Sequence, residues 1–150
     1  MNIRITKEFR FEMAHALLGY DGPCKDIHGH SYRLLITLKG KISTSEGPKN
    51  GMLFDFSELR NIVQDCIIKR FDHALVLNEN TSKELLHSLQ HNKLLALAFQ
   101  PTCEQLCAYF ANLLDAELPQ NVRLHHVTLY ETATSFAEWY AEDNPNSAHE

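Results

Sequence analysis

A chain of 150 residues with 44% hydrophobic content can bury a core without covalent staples, and its four cysteines, dispersed and outside any CxxC pair, exclude a disulfide framework and point to free thiols in a reducing compartment. A formal charge of -5 with no Lys/Arg cluster excludes recognition of a nucleic-acid backbone, while leaving room for a compact basic pocket around a small anionic ligand. The opening MNIRITKEFRFE is charged and alternating, which excludes a signal peptide or membrane span there and reads as a soluble, cytoplasmic protein.

From Ile3 to His15 the odd positions carry Ile3, Ile5, Phe9, Phe11, Met13 and His15, and the even ones Arg4, Thr6, Glu8, Arg10 and Glu12. This period of two predicts a half-buried strand with a histidine at its far end. GYDGPC, residues 19–24, predicts a loop, after which the chain returns as a hairpin strand from His28 to Lys39. Alternation puts His28, His30, Tyr32, Leu34, Ile36 and Leu38 on its buried face, and Ser31, Arg33, Thr37 and Lys39 on the other.

A polar stretch over 40–51 leads to MLFDF, 52–56, read as a short strand. Ser57 then caps a helix with Leu59, Ile62, Val63, Cys66 and Ile67 on one face, ending near Phe71 and leaving Asp72 and His73 at its exit. Leu85, Leu86 and Leu89 predict a short helix, and KLLALAF, 93–99, fits a helix or a strand. Thr102 and Gln105 form a capping pair for a second main helix with Leu106, Phe110, Leu113 and Leu114 as its apolar stripe. Val122 to Glu131 reads as the closing strand, and the tail from about 141 is polar. The order describes a single α+β domain over 1–150, two helices packed on one face of a mainly antiparallel sheet.

The hairpin gathers the chemistry. Neutral imidazole is a good zinc ligand, and three histidines with one open position are the pattern of a catalytic metal site; His15, His28 and His30 supply the three where one strand ends beside the start of the next. Cys24 lies in the loop between them, where a thiol beside a cation and a histidine serves as base or nucleophile, or is an incidental loop cysteine. Asp72 next to His73 can orient a proton relay. Glu131, ending an apolar strand, needs a partner if buried, and a flat pair of donors would fit it.

Taken in order, FEMAHAL, CKDIHGHSY, GMLFDFSELR, FDHALVLNE, PTCEQL and VTLYET resemble the successive motifs of the 6-pyruvoyltetrahydropterin synthase superfamily, over residues 9 to about 140. The resemblance implies the tunnelling fold, in which antiparallel sheets of several subunits join into an oligomeric β-barrel, a trimer or dimer of trimers, with active sites between subunits. It implies that His15, His28 and His30 hold zinc, that Cys24 abstracts a proton, and that Asp72 and His73 assist proton transfer. Glu131 matches the acidic residue that grips the amino-pyrimidine edge of a pterin and belongs to the charge relay, and Thr102 and Glu104 match the helix start lining the pterin pocket.

The three residues between Cys24 and His28 resemble the branch that forms 6-carboxy-5,6,7,8-tetrahydropterin. The implied reaction takes 7,8-dihydroneopterin triphosphate to the carboxypterin with loss of acetaldehyde and triphosphate, towards 7-deazaguanines such as queuosine. The rival readings are the pyruvoyl-forming branch, which eliminates triphosphate without cleaving the side chain, and a non-catalytic zinc- and pterin-binding oligomer. Ala16, where relatives often carry a basic or polar residue, removes one phosphate contact.

Overall fold

The two alternating segments form one long hairpin. In the computed structural model, which describes residues 1–145, strand β1 (Asn2–His15) pairs antiparallel with β2 (His28–Lys41) along its whole length, from Asn2 opposite Lys41 to His15 opposite His28. Phe9, Phe11 and Met13 of β1 and Tyr32, Leu34, Ile36 and Leu38 of β2 are all buried. A one-residue slip of β2 would turn its four buried side chains to the other face. At about 1.5–3 kcal/mol each, the loss is about 6–12 kcal/mol, comparable to the whole stability of an ordinary domain. The register that brings the histidines together is therefore held by the apolar alternation along the rest of the strands.

Helix α1 (Phe56–Val63) passes through a π-helical turn, Gln64–Ile68, into α2 (Lys69–Phe71), and this continuous helical segment ends where the spacing places it. Its cap is Asp55, whose side chain accepts from Ser57 N–H at 2.7 Å, rather than Ser57 itself. MLFDF is not a strand: Leu53 and Phe54 pack against the core without a ladder partner, and Asp55, as good a cap as serine, starts the helix directly behind them.

The helical segment carries the chain back to the His15 end, so β3 (Ala74–Asn78) runs parallel to β1, with Met13 opposite Ala74. All five of its residues are buried, as expected of a strand covered on both faces. After the short helix α3 (Lys83–Ser88), β4 (Leu94–Leu97) pairs parallel with β3 and settles KLLALAF as strand. The sheet is thus mixed: antiparallel at β1–β2 and at the pairings beyond β2, as the alternation predicts, and parallel at β1–β3 and β3–β4.

Helix α4 (Cys103–Glu117) begins at Thr102, whose hydroxyl accepts from Gln105 N–H at 3.3 Å, as the capping pair predicts. It buries Leu106, Cys107, Phe110, Ala111 and Leu114, and the Phe110 ring meets Phe11 and Phe71 edge-on at 6.0 and 4.9 Å. Strand β5 (Arg123–Tyr130) is not the last: the chain turns over 131–135 and pairs back as β6 (Phe136–Tyr140). The turn is made by the Thr132 hydroxyl accepting from Thr134 and Ser135 N–H, with no glycine or proline to announce it. The six strands lie in the order β4-β3-β1-β2-β5-β6. Among the described residues no helix is long and apolar enough to cross a membrane; of the polar tail, Ala141–Asp143 forms a 3-10 turn, and residues beyond 145 lie outside the described part.

Candidate metal centre and adjoining cavity

His15 and His28 face each other in register at the open end of the hairpin, and His30 sits two residues along β2 on the same face. The three rings are mutually packed, with centroids 4.6, 5.2 and 4.9 Å apart, and one nitrogen from each lies within 4.8 Å of the others. His15 is 1% exposed. Burial holds His15 below the ordinary imidazole value, although the Pro101 carbonyl and the Glu131 carboxylate pull the other way. Burial does the same to His30 against the pull of Glu131.

The backbone sets which nitrogen is free. His15 Nδ1–H donates to the Pro101 carbonyl at 2.7 Å and His28 Nδ1–H to the Asp26 carbonyl at 2.7 Å. Both Nε2 atoms therefore present lone pairs, 3.1 Å apart. Tetrahedral ligands about 2.0–2.1 Å from an ion stand about 3.3 Å from one another, close to that spacing. His30 Nε2 is buried and has no hydrogen-bond partner among the described residues. Three imidazoles, two of them oriented by carbonyls, fit a divalent metal.

Glu131 enters from the β5–β6 turn, its oxygens 3.9 Å from His15 Nε2 and 3.8 Å from His30 Nε2. Beneath it the Tyr32 hydroxyl, fully buried, closes no hydrogen bond among the described residues; burial and then Glu131 raise its pKa well above the ordinary phenol range. A cavity of 290 Å³ opens beside this cluster, lined by His15, Cys24, Thr102, Glu104 and Glu131, with Phe136 at its side. The loop that delivers Cys24 is closed by Leu17 N–H donating to the Cys24 carbonyl at 3.0 Å, with a 3-10 turn over Pro23–Lys25.

Two predicted residues stand apart. Asp72 and His73 pair at 3.0 Å but do not line this cavity; His73, its side chain 76% exposed, borders a separate depression with Glu12, His30 and Ser31. His73 has φ 60°, in the left-handed region, and is held there as its N–H donates to the Glu12 carbonyl at 2.6 Å while Glu12 N–H donates to Asp72 Oδ1 at 3.0 Å. Partial burial disfavours the Asp72 carboxylate, yet the Glu12 N–H and the His73 ring outweigh it and hold its pKa below the ordinary value. Sequence reasoning missed Cys103 and Phe136. Cys103 lines the same cavity, its thiol pushed up to about 11 by burial and then by Glu131; its place directly after the capping Thr102 was the available signal. Phe136 lies on the strand that was not foreseen.

The sequence profile of the family described as 6-pyruvoyl tetrahydropterin synthase matches residues 4–142. A 6-carboxy-5,6,7,8-tetrahydropterin synthase of Haemophilus influenzae is 36% identical over 141 residues, covering 91% of this chain and 97% of that protein. A protein of the same description from Synechocystis is 33% identical over 138 residues, covering 91% and 92%. Among solved structures, the 6-pyruvoyl tetrahydropterin synthase of Caenorhabditis elegans superposes with a TM-score of 0.68 at 21% identity, covering 93% of this chain and 96% of that one, a likeness of fold.

Proposed function

This chain belongs to the 6-pyruvoyl tetrahydropterin synthase family, and from that premise we propose that it is a zinc-dependent 6-carboxy-5,6,7,8-tetrahydropterin synthase. The reaction is conversion of 7,8-dihydroneopterin triphosphate to the carboxypterin with release of acetaldehyde and triphosphate. The observation that carries the reading is the triad of His15, His28 and His30 beside a cavity that also holds Cys24 and Glu131. The names of the relatives at 36% and 33% identity favour the carboxy-forming branch.

His15, His28 and His30 would hold the zinc; neutral imidazoles in a three-ligand set suit that ion. Bound there, it would supply Lewis-acid polarisation of the substrate's side-chain oxygens. Cys24, on the loop over the cavity, takes a proton from that side chain, a role worth about 10²- to 10⁴-fold. Glu131 receives the paired N–H donors of the pterin's amino-pyrimidine edge, and Thr102 and Glu104 border the ring.

Asp72 and His73 serve proton transfer from outside the cavity of their own chain, which requires that a neighbouring subunit present them. The outer edges of β4 and β6 carry no ladder partner among the described residues, and Leu18, Tyr20, Ile27 and Phe136 are exposed apolar side chains. Both features support closure of the sheet into a barrel across subunits. Mass spectrometry of the products from 7,8-dihydroneopterin triphosphate tests the reading. Acetaldehyde and 6-carboxytetrahydropterin are expected; a pyruvoyl product would assign the chain to the other branch, and no turnover by metal-loaded protein would leave only binding.

A further inference from the structure

At the end of the sheet opposite the histidines, three cations stand in one row. Arg4 of β1 lies opposite Lys39 of β2, and Lys39 lies opposite Arg123 of β5. Directly opposed residues share a face, and like charges so placed repel. Elsewhere on this face the cations are paired: Arg33 meets Glu8 at 2.6 Å, and Arg10 meets the same carboxylate at 3.3 Å. Among the described residues Arg4, Lys39, Arg123 and nearby Lys41 form no ion pair. In a chain of net charge -5, such a row is a local reversal.

Two members of the row, Lys39 and Arg123, line a cavity of 840 Å³ together with Lys41, His125 and the hydroxyl-bearing residues Ser43, Thr44 and Ser45. Among the described residues Glu142 is the sole carboxylate on its wall. The backbone is adapted to the spot: the β2–β5 register shifts between Thr37 and Leu38, so that His125 is the extra residue of a bulge. Arg4 Nε–H donates to His125 Nε2 at 2.7 Å, which fixes the guanidinium beside the row. Burial, and then the Arg4 and Lys39 charges, hold His125 below the ordinary imidazole value, in keeping with a positive field there.

We propose that Arg4, Lys39 and Arg123, with the hydroxyls of 43–45, form a binding site for a linear triphosphate group, remote from the histidine cluster. Neighbouring strands lie about 4.7–4.9 Å apart, so the outer two cations are about 10 Å apart. A monophosphate can meet two of them, whereas a chain of three phosphates can lie along all three. Arg4 and His15 are 11 residues apart on one strand, about 36 Å at about 3.3 Å per residue, so one small molecule cannot occupy both sites of a chain. The proposal is independent of the reaction assigned above.

The test is calorimetric titration of the full chain with inorganic tripolyphosphate, orthophosphate and a nucleoside triphosphate, repeated on Arg123→Gln and Lys39→Gln. Tripolyphosphate should bind at least about tenfold more tightly than orthophosphate, and each substitution should weaken it about tenfold or more. Equal affinity for the nucleotide identifies the phosphate chain as the whole determinant, and tighter nucleotide binding adds a base contact. Because the row repels itself, the substitutions should leave the Tm of the anion-free protein unchanged or raise it by about 2 °C, and should abolish its rise with tripolyphosphate. Unchanged affinity in both variants would overturn the site. So would a loss in His30→Ala as large as in Arg123→Gln, since that would place the anion at the histidine end, and so would preference for duplex DNA over tripolyphosphate.

Discussion

His15 and His28 stand opposite each other on adjacent strands with their Nε2 atoms 3.1 Å apart, and each spends its Nδ1–H on a backbone carbonyl. Two lone pairs at that distance repel unless a cation lies between them. A divalent metal relieves the repulsion and also uses His30 Nε2, which has no hydrogen-bond partner among the described residues. Metal analysis of purified protein should therefore give close to one zinc per chain. His30→Ala should lower metal affinity by more than about 100-fold, since loss of partners that merely orient ligands costs about 10- to 100-fold, while far-UV circular dichroism stays that of the parent. Chelation should lower the Tm of the parent, because an ion bound by the native state alone stabilises it, and should leave the Tm of His30→Ala unmoved. Full metal occupancy in His30→Ala would sink the assignment.

Cys24 shares the cavity with His15 and Glu131, while the candidate metal ligands among the described residues are His15, His28 and His30. Its replacement by Ala should leave zinc content and pterin affinity at parental levels and reduce turnover by about 10²- to 10⁴-fold, the ordinary worth of a positioned proton acceptor. Steady-state kinetics beside metal analysis separates the two. Turnover within a factor of a few of the parent would make Cys24 a loop residue and no more.

Asp72 ties two elements together, accepting from the Glu12 backbone N–H and pairing with His73. Its pKa is depressed in the folded state, so the native protein binds fewer protons at this carboxyl than the unfolded chain does. The stabilisation is then fully present above the unfolded carboxyl value of about 3.9 and is lost as pH falls through the lower folded value. Asp72→Asn should have a lower Tm than the parent at neutral pH, and the gap should close as the pH is taken below about 4. Thermal melts across that range decide it, and a gap that persists unchanged at low pH would mean that the carboxylate charge contributes nothing.

The histidine cluster was legible because it rests on strand alternation, the most regular signal in the chain: the same period that buries Tyr32, Leu34, Ile36 and Leu38 puts His28 and His30 on their face. The Thr102 cap was legible because its hydroxyl bonds locally, to Gln105 N–H. The parallel placement of β3 depends on where a preceding helix returns the chain, which no local pattern encodes. β6 was missed because a turn held by the Thr132 hydroxyl lacks the usual glycine, and with it went Phe136 and one wall of the cavity. The separation of Asp72–His73 from Cys24 is likewise a property of the assembled sheet. The row of Arg4, Lys39 and Arg123 was invisible for the same reason: these residues become neighbours only through the ladder.

Glu131 can serve either the cavity or the histidines, and its position makes the choice measurable. Its oxygens lie 3.8 and 3.9 Å from two imidazole nitrogens, beyond hydrogen-bond distance, and its side chain is 21% exposed on the cavity wall. A pterin offers an N–H and an exocyclic amino group side by side, a flat pair of donors that matches both oxygens of a carboxylate. In Glu131→Gln one acceptor becomes a donor facing a donor, and Glu131→Asp withdraws both oxygens by a methylene. Either change leaves polar groups unpaired in a desolvated pocket, at about 1–3 kcal/mol, or roughly tenfold or more in affinity. Titration of Glu131→Gln with a non-reactive dihydropterin, alongside metal analysis, should show that loss at parental zinc content. Parental pterin affinity with reduced zinc would instead make Glu131 part of the histidine centre, and parental values of both would leave it a strand-end carboxylate held by its own turn.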